Sequence, residues 1–398
     1  MKKKIMIIGA GILQLPAIIR AKELGYEVLS VDINQNALGF KYADIKCIVS
    51  TNDIEGILKE AEKLKPDGVM TLATDMPVRS VAAVGEKLNL NTIDKATAIK
   101  VTDKSEMRKA LKDKNIPIPN FFVVDNYNDY ISAIKNFKGS FIVKPSDSSG
   151  SRGVFLVEET SQVDEAYKHS SQNAKNGKIL LEEYMIGPEV SVETFSINGT
   201  VNIIAITDKK TTGAPHFVEL RHNIPSLLDK EILIEIENVA IKAIESIGIK
   251  NGPSHTEIIV TEEGPKIVEI GARLGGDNIT TYLVPLSYGI SMVDLNIKYA
   301  LNEKVKIKKT LDRASCIQFL SANTGKIKQI FGVEEAKNIN GVKVVEINKQ
   351  IGDVITEIES SLDRVGYVIS QADNSIEAKE ICEEACKKLN IEIMDIRG

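Results

Sequence analysis

The stretch FIVKPSDSSGSRGV, from Phe141 to Val154, opens with three strand-forming residues, Phe141, Ile142 and Val143, closed by Lys144. Pro145 has no amide proton to give a ladder, so the strand stops there. The loop that follows carries Ser148, Ser149, Gly150 and Gly153. Its small side chains and glycines let backbone amides approach an anion closely. A fixed ammonium beside such a loop is the outline of a phosphate site. Taken alone, the stretch also reads as an ordinary hairpin loop with a chance lysine.

Two later stretches join it. LLEEYMIGPEVSVE runs from Leu180 to Glu193, and HTEIIVTEEGPKIVEIGARLGGD from His255 to Asp277. The second reads as a β-hairpin, two strands around a turn at Thr261–Gly264, with Glu257 and Glu269 on adjacent strands. Carboxylates so placed repel unless a cation lies between them, and hard oxygen donors suit Mg²⁺. Four residues beyond Glu269, Arg273 enters the turn-like ARLGGDN, where a guanidinium can stabilise charge on a transferring phosphoryl group.

In this order and at these intervals the motifs resemble the ATP-grasp ligase superfamily, over Met1 to about Asn302. The resemblance implies an α/β and α+β fold with a Rossmann-like domain over 1–98, a small lobe with a Gly-rich lid over 99–185 and a large lobe with a metal site over 186–302. Beyond the resemblance, ASCIQFL, VKVVEI and VGYVISQ read as strands and Ser375–Leu389 as a helix, a small α+β domain over 303–398. The resemblance implies ATP and Mg²⁺ as cofactors, with Mn²⁺ as a substitute. Lys104 and Lys144 are implied at the phosphates, and Ser148, Ser149, Gly150 and Gly153 in the lid. Glu182, Glu183 and Met185 are implied at the adenine, and Glu189 at the ribose. Adjacent strand residues point to opposite faces, so only one of Glu182 and Glu183 faces the pocket. Glu257 and Glu269 would bind the metal, with Arg273 and Lys144 catalytic. Many members carry Asn two residues before the arginine. Here that position is Gly271, and either the second metal lacks a protein ligand or Asp277 or Asn278 supplies one.

The first domain opens with a βαβ pattern carrying Gly9, Gly11 and Gln14, with Asp32 closing the second strand. That is an incomplete dinucleotide motif. It reads either as a tight turn with a strand-end cap or as part of a substrate site. Gly11, Asp75, His216, Arg221, Gly275 and Gly276 are candidate substrate contacts. His216, Glu219, Arg221 and His222 crowd what reads as one loop, either a polar site or a solvated connection. Thr102–Asn115 reads as one charged helix, with Lys109 and Lys112 on its surface.

At 398 residues the chain has ample core for several domains. A net charge of −5, no Trp and 5% aromatics argue against a nucleic-acid surface. Cys47, Cys316, Cys382 and Cys386 are few and scattered, which fits reduced thiols in a cytoplasm. MKKK followed by IMIIGAGILQLPAII imitates a secretory leader, but its glycines and Gln14 read as a buried strand and turn. No segment reads as long enough to span a membrane.

The expected activity is an ADP-forming carboxylate–amine ligase working through an acyl phosphate. Its partners would be small carboxylate and amine substrates, and the protein a homodimer or a monomer. The amino-acid ligase branch leads. A purine-biosynthetic ligase like phosphoribosylglycinamide synthetase is the rival. A nicotinamide oxidoreductase built on Gly9, Gly11 and Asp32, and a non-catalytic nucleotide-binding protein, are the readings from other classes.

Overall fold

The four residues Ile5–Ile8 are fully buried, as befits a strand covered on both faces. In the computed structural model, which describes residues 2–148, 150 and 152–394, they lie in β1 (Lys4–Ile8). A Pro in the first turn starts α1 (Leu15–Glu23). β2 (Glu27–Val31), β3 (Ile45–Cys47), α2 (Ile54–Leu64), β4 (Gly68–Met70) and α3 (Val78–Leu88) follow. The four strands form a parallel sheet in the order β3-β2-β1-β4.

The charged segment expected as one helix over Thr102–Asn115 is broken. α4 (Lys95–Thr102) ends at Asp103, which leaves the helical conformation. The Asp103 side chain then accepts from the amides of Ser105 and Glu106 to cap α5 (Lys104–Lys112). The new N-terminus brings Lys104 to the first position of its own helix. Residue 98, the expected end of the first domain, lies within α4.

β5 (Phe121–Val124), α6 (Tyr127–Ile134), β6 (Phe141–Pro145), β7 (Phe155–Val157), α7 (Val163–Asn173) and β8 (Ile179–Glu183) make an antiparallel sheet ordered β5-β8-β6-β7, with its two helices. Next come β9 (Glu189–Ile197), β10 (Thr200–Thr211), β11 (Glu219–Ile224), α8 (Lys230–Ile247), β12 (Gly252–Thr261) and β13 (Gly264–Gly271). Beyond them lie α9 (Val284–Tyr288), α10 (Met292–Ala300), β14 (Ala314–Leu320), β15 (Gly325–Phe331), α11 (Val333–Lys337), β16 (Val342–Ile347), β17 (Val354–Ile355), β18 (Gly366–Ala372), α12 (Ser375–Lys388) and β19 (Asn390–Met394).

One sheet of eight strands, β13-β12-β9-β10-β11-β14-β18-β16, joins both sides of residue 302. Its period-two alternation positions the site. Val190, Val192, Ile258 and Ile270 point to one face and are buried against Ile236, Ala240, Ala243, Ile244 and Ile247 of α8. The residues between them, Glu189, Ser191, Glu193, His255, Glu257, Glu269 and Gly271, point to the other. The sequence expectation for Glu219, Arg221 and His222 is corrected here: these residues lie in β11, and only His216 lies in the preceding turn.

Candidate active site

The register of the hairpin sets Glu257 directly opposite Glu269. The register then skips Val268, a bulge that accentuates the local twist. On β12's other side, His255 faces Glu193 and Glu257 faces Ser191 across β9. Lys209 of β10 is paired with Glu189. One polar face therefore collects acids from three strands and a lysine from a fourth.

Each acid has a cationic partner. Lys104 Nζ donates to Glu269 Oε1 at 2.8 Å and to the carbonyl of Ser148 in the Gly-rich loop at 2.8 Å. Burial alone would lower the Lys104 pKa, but Glu269 wins and holds it raised. Lys209 lies 3.0 Å from Glu257, 2.6 Å from Glu189 and 3.8 Å from Glu219. Burial would raise the Glu257 carboxyl; Lys209, and then His255, keep it well below its usual range.

Lys144 donates across 2.5 Å to Glu182, which also takes Arg108 Nε at 2.6 Å and Nη2 at 3.2 Å. Burial would raise Glu182, but Arg108 and Lys144 bring it down to about 2. Burial pushes Lys144 below its ordinary value against the pull of Glu182. Glu183 points the other way, accepting from the amide of Asn120 and from Lys266. Glu182 is thus the one of the two that meets the lysines. Met185 lies half-buried just past β8.

His255 bridges two carboxylates. Its Nδ1 is 2.5 Å from Glu193 Oε1 and its Nε2 3.4 Å from Glu257 Oε1. Burial would lower His255, yet Glu193 raises it to about 9, so the imidazole is a cation at neutral pH. The other oxygen of Glu193 accepts the amide of Gly275 at 3.3 Å. A Cβ on Gly275 would sit 2.6 Å from that carboxylate, so the loop passes only because the residue is glycine.

Arg273 is bound by Asp75 of the first domain, at 3.0 Å through Nε and 3.3 Å through Nη2. This pair explains Gly271. A Cβ there would lie 2.6 Å from Asp75 Oδ1, so the space an Asn side chain would take is filled by Asp75. Asp277, the expected alternative ligand, is committed elsewhere, to Arg364 at 2.7 and 2.9 Å and to His222 at 3.3 Å. Gly276 packs near Ala73, with its would-be Cβ 3.6 Å from the Ala73 Cβ.

The remaining expected residues divide. Gly150 is exposed at φ +65° with open space around it, whereas a Cβ on Gly153 would meet Pro145 and Asn173 at 2.7 Å. Ser149 lies outside the described residues. Gly11 lies in the turn ahead of α1, its carbonyl accepting the amides of Gln14 and Leu15. Gln14 Nε2 donates to the Leu72 carbonyl, which ties that turn to the loop bearing Asp75. Asp32 accepts the amides of Ala10 and Asn34, the strand-end cap of the two readings. Arg221 points toward α12 and pairs with Glu383 at 3.0 Å, away from the carboxylates. His216 enters none of the ion pairs among the described residues.

The chemistry of the donors fits a magnesium nucleotide. Among the described residues no group of three or more His, Cys, Asp or Glu could hold a metal by itself. Mg²⁺ is held by one or two carboxylates together with nucleotide phosphates, which is what an opposed Glu257–Glu269 pair offers.

A model of the ATP-grasp domain matches residues 137–281, and a model of the L-amino acid ligase C-terminal domain 2 matches 318–394. Residues 137–281 are therefore an ATP-grasp domain. ATP and Mg²⁺ are the chain's cofactors, and it is an ATP-dependent ligase. Formate-dependent phosphoribosylglycinamide formyltransferase of Sulfurisphaera tokodaii is 25% identical over 393 residues, covering 96% of each chain. The L-arginine-specific L-amino acid ligase of Bacillus subtilis is 25% identical over 271 residues, 67% of this chain and 65% of that one. The crystal structure of an L-amino acid ligase from Bacillus licheniformis shares the fold, with a TM-score of 0.85, 23% identity and 99% of both chains covered. Among the described residues, no helix is long and apolar enough to cross a membrane.

Sequence reasoning missed Arg108, Glu193, Lys209 and Arg364. Arg108 was findable. It stands four residues after Lys104, hence on the same face of α5, among the buried Met107 and Leu111. Glu193 and Lys209 share strand parity with Glu189 and Glu257, a signal visible only once strand pairing is known.

Proposed function

We propose that this enzyme is an ADP-forming carbon–nitrogen ligase that joins a carboxylate to an amine, with amino acids as the substrate class. The observation that carries the substrate class is the Asp75–Arg273 pair in the space left by Gly271, beside the Glu257–Glu269 carboxylates. A guanidinium and a carboxylate side by side complement the two charges of an amino acid. The L-amino acid ligase C-terminal domain match supports the same branch.

In this reading Lys104 and Lys144 exchange their carboxylate partners for the nucleotide phosphates, and Glu257 and Glu269 hold the metal. Bound there, the metal would supply charge neutralisation to the phosphates. Glu182 faces the nucleotide and Glu189 the ribose, with the Met185 segment beside the adenine. The loop over Ser148, Gly150 and Gly153 covers the phosphates. A substrate carboxylate oxygen attacks the γ-phosphorus, ADP leaves, and an acyl phosphate results. Arg273 stabilises the charge that develops on the transferring group. The amine then attacks the acyl carbon, and phosphate departs with the oxygen that came from the carboxylate. In domain terms, 1–98 and 303–398 would flank the two nucleotide-binding lobes.

A heavy-oxygen label tests this path. Carboxylate substrates carrying it should yield labelled inorganic phosphate under turnover with Mg-ATP. Unlabelled phosphate would exclude the acyl phosphate.

The full-length likeness to phosphoribosylglycinamide-using enzymes supports a second reading, in which the acceptor carries a ribose phosphate. Formate with phosphoribosylglycinamide, and glycine with phosphoribosylamine, discriminate it as substrate pairs.

A further inference from the structure

Arg364, just before β18, reaches out of the last hundred residues to the loop that follows Arg273. Its Nη1 and Nη2 clamp the two oxygens of Asp277 at 2.9 and 2.7 Å. Nη1 also donates to the Glu219 carbonyl at 3.3 Å and Nε to the Ser361 carbonyl at 3.0 Å. The guanidinium carbon lies 3.7 Å from the centre of the Phe319 ring. Four of its five donors are therefore used within the chain, and one face is stacked. A guanidinium so spent is a fixed support, with little left to offer a ligand.

What it supports is unusual backbone. Asp277 and Asn278 are consecutive non-glycine residues at φ +49° and +63°. His222 Nε2 meets Asp277 at 3.3 Å from β11. Two residues upstream, Glu193 holds the Gly275 amide, and the Leu274 carbonyl accepts the Ala73 amide at 3.3 Å. Between these anchors the path from Gly275 to Asn278 is fixed, and with it the point from which Arg273 extends toward Asp75.

We propose that Arg364 is a positioning residue for Arg273, acting through Asp277, so that the C-terminal domain completes the catalytic loop. The proposal rests on the reading of Arg273 as the group that stabilises the transferring phosphoryl. Arg364→Lys keeps the charge but not the two-pronged grip, and Asp277→Asn keeps the shape but not the charge.

Both variants are tested as full-length chains, by hydrogen–deuterium exchange with Mg-ADP present and by ADP release with Mg-ATP and the pooled protein L-amino acids. Amides of 273–278 should exchange about tenfold faster, while β12 and β13 are unchanged. Turnover should fall about 10²-fold in kcat, the cost of a misplaced catalytic group, with KM for ATP within a factor of about two. In an Arg273→Ala background, Arg364→Lys should cause no further loss.

Unchanged loop exchange overturns the proposal, as does faster exchange with undiminished kcat. A rise in the KM of one amino acid with kcat intact also overturns it, because Arg364 would then be a substrate contact. If Arg273→Ala itself keeps full turnover, the functional reading fails, and the exchange data alone then judge the clamp.

Discussion

Glu182 is a carboxylate with two buried cations, Arg108 and Lys144, and both fates of that triad can be measured. Its pKa falls from 4.5 to about 2 on folding, so its contribution is fully present above pH about 4.5 and is lost as pH drops toward 2. The shift corresponds to on the order of 3 kcal/mol. Glu182→Gln should lower the melting temperature at pH 7 and flatten its decline between pH 4.5 and 2; an unchanged acid limb would mean the triad does not set acid stability. Gly271→Asn tests the neighbouring geometry. The new side chain must displace Asp75, whose oxygen lies 2.6 Å from the would-be Cβ. Turnover should drop tenfold or more, by about 1.4 kcal/mol of transition-state stabilisation, with Mg-ADP affinity retained. Normal kinetics in this variant would detach Asp75 from the site. At this scale the sequence was half legible. Lys104, Lys144, Glu257, Glu269 and Arg273 stand in motifs, but Asp75 and Arg273 are 198 residues apart and no spacing predicts their pairing.

Elements explain why so many charges share one surface. In β9, β12 and β13, Val190, Val192, Ile258, Ile267 and Ile270 pack with α8, and the opposite face gathers Glu193, His255, Glu257 and Glu269. The hairpin was legible because its alternation and its turn both appear in one continuous stretch. The break between α4 and α5 was not, since Asp103 looks like any helix-surface charge until its side chain is seen capping α5. The misread loop before Ile224 has a similar cause: a bulge at Leu220 leaves Glu219 and His222, three apart, on one face and spoils the alternation. α5 itself is a strap between lobes, because Arg108 binds Glu182 of β8 and the Val268 carbonyl of β13. Arg108→Ala should cost about 3–5 kcal/mol, since it leaves Glu182 buried with Lys144 alone. Chemical denaturation reads this directly, and a loss under 1 kcal/mol would show that the strap is slack.

Across the whole molecule, the eight-stranded sheet passes from β11 into β14 without an edge. The three motifs in their order gave the fold class through the resemblance they carry, but nothing in the last hundred residues announced that its strands continue the same sheet. A chain ending at residue 302 would bare the edge of β11 and the apolar residues that Ile317 and Phe319 cover. Such a fragment should elute as an aggregate in size-exclusion chromatography; a monodisperse, cooperatively melting fragment would mean the last part is dispensable for folding.

The most direct test of the ligase account is product analysis with Mg-ATP and pools of N-acetylated amino acids as the carboxylate, amino-acid amides as the amine, both, neither, or the free amino acids that carry both groups. The account predicts ADP and phosphate in equal amounts, appearing together with an amide only when both substrates are present, and lost in Glu269→Ala. AMP and pyrophosphate, or ADP release indifferent to the amine and to Glu269, would contradict it.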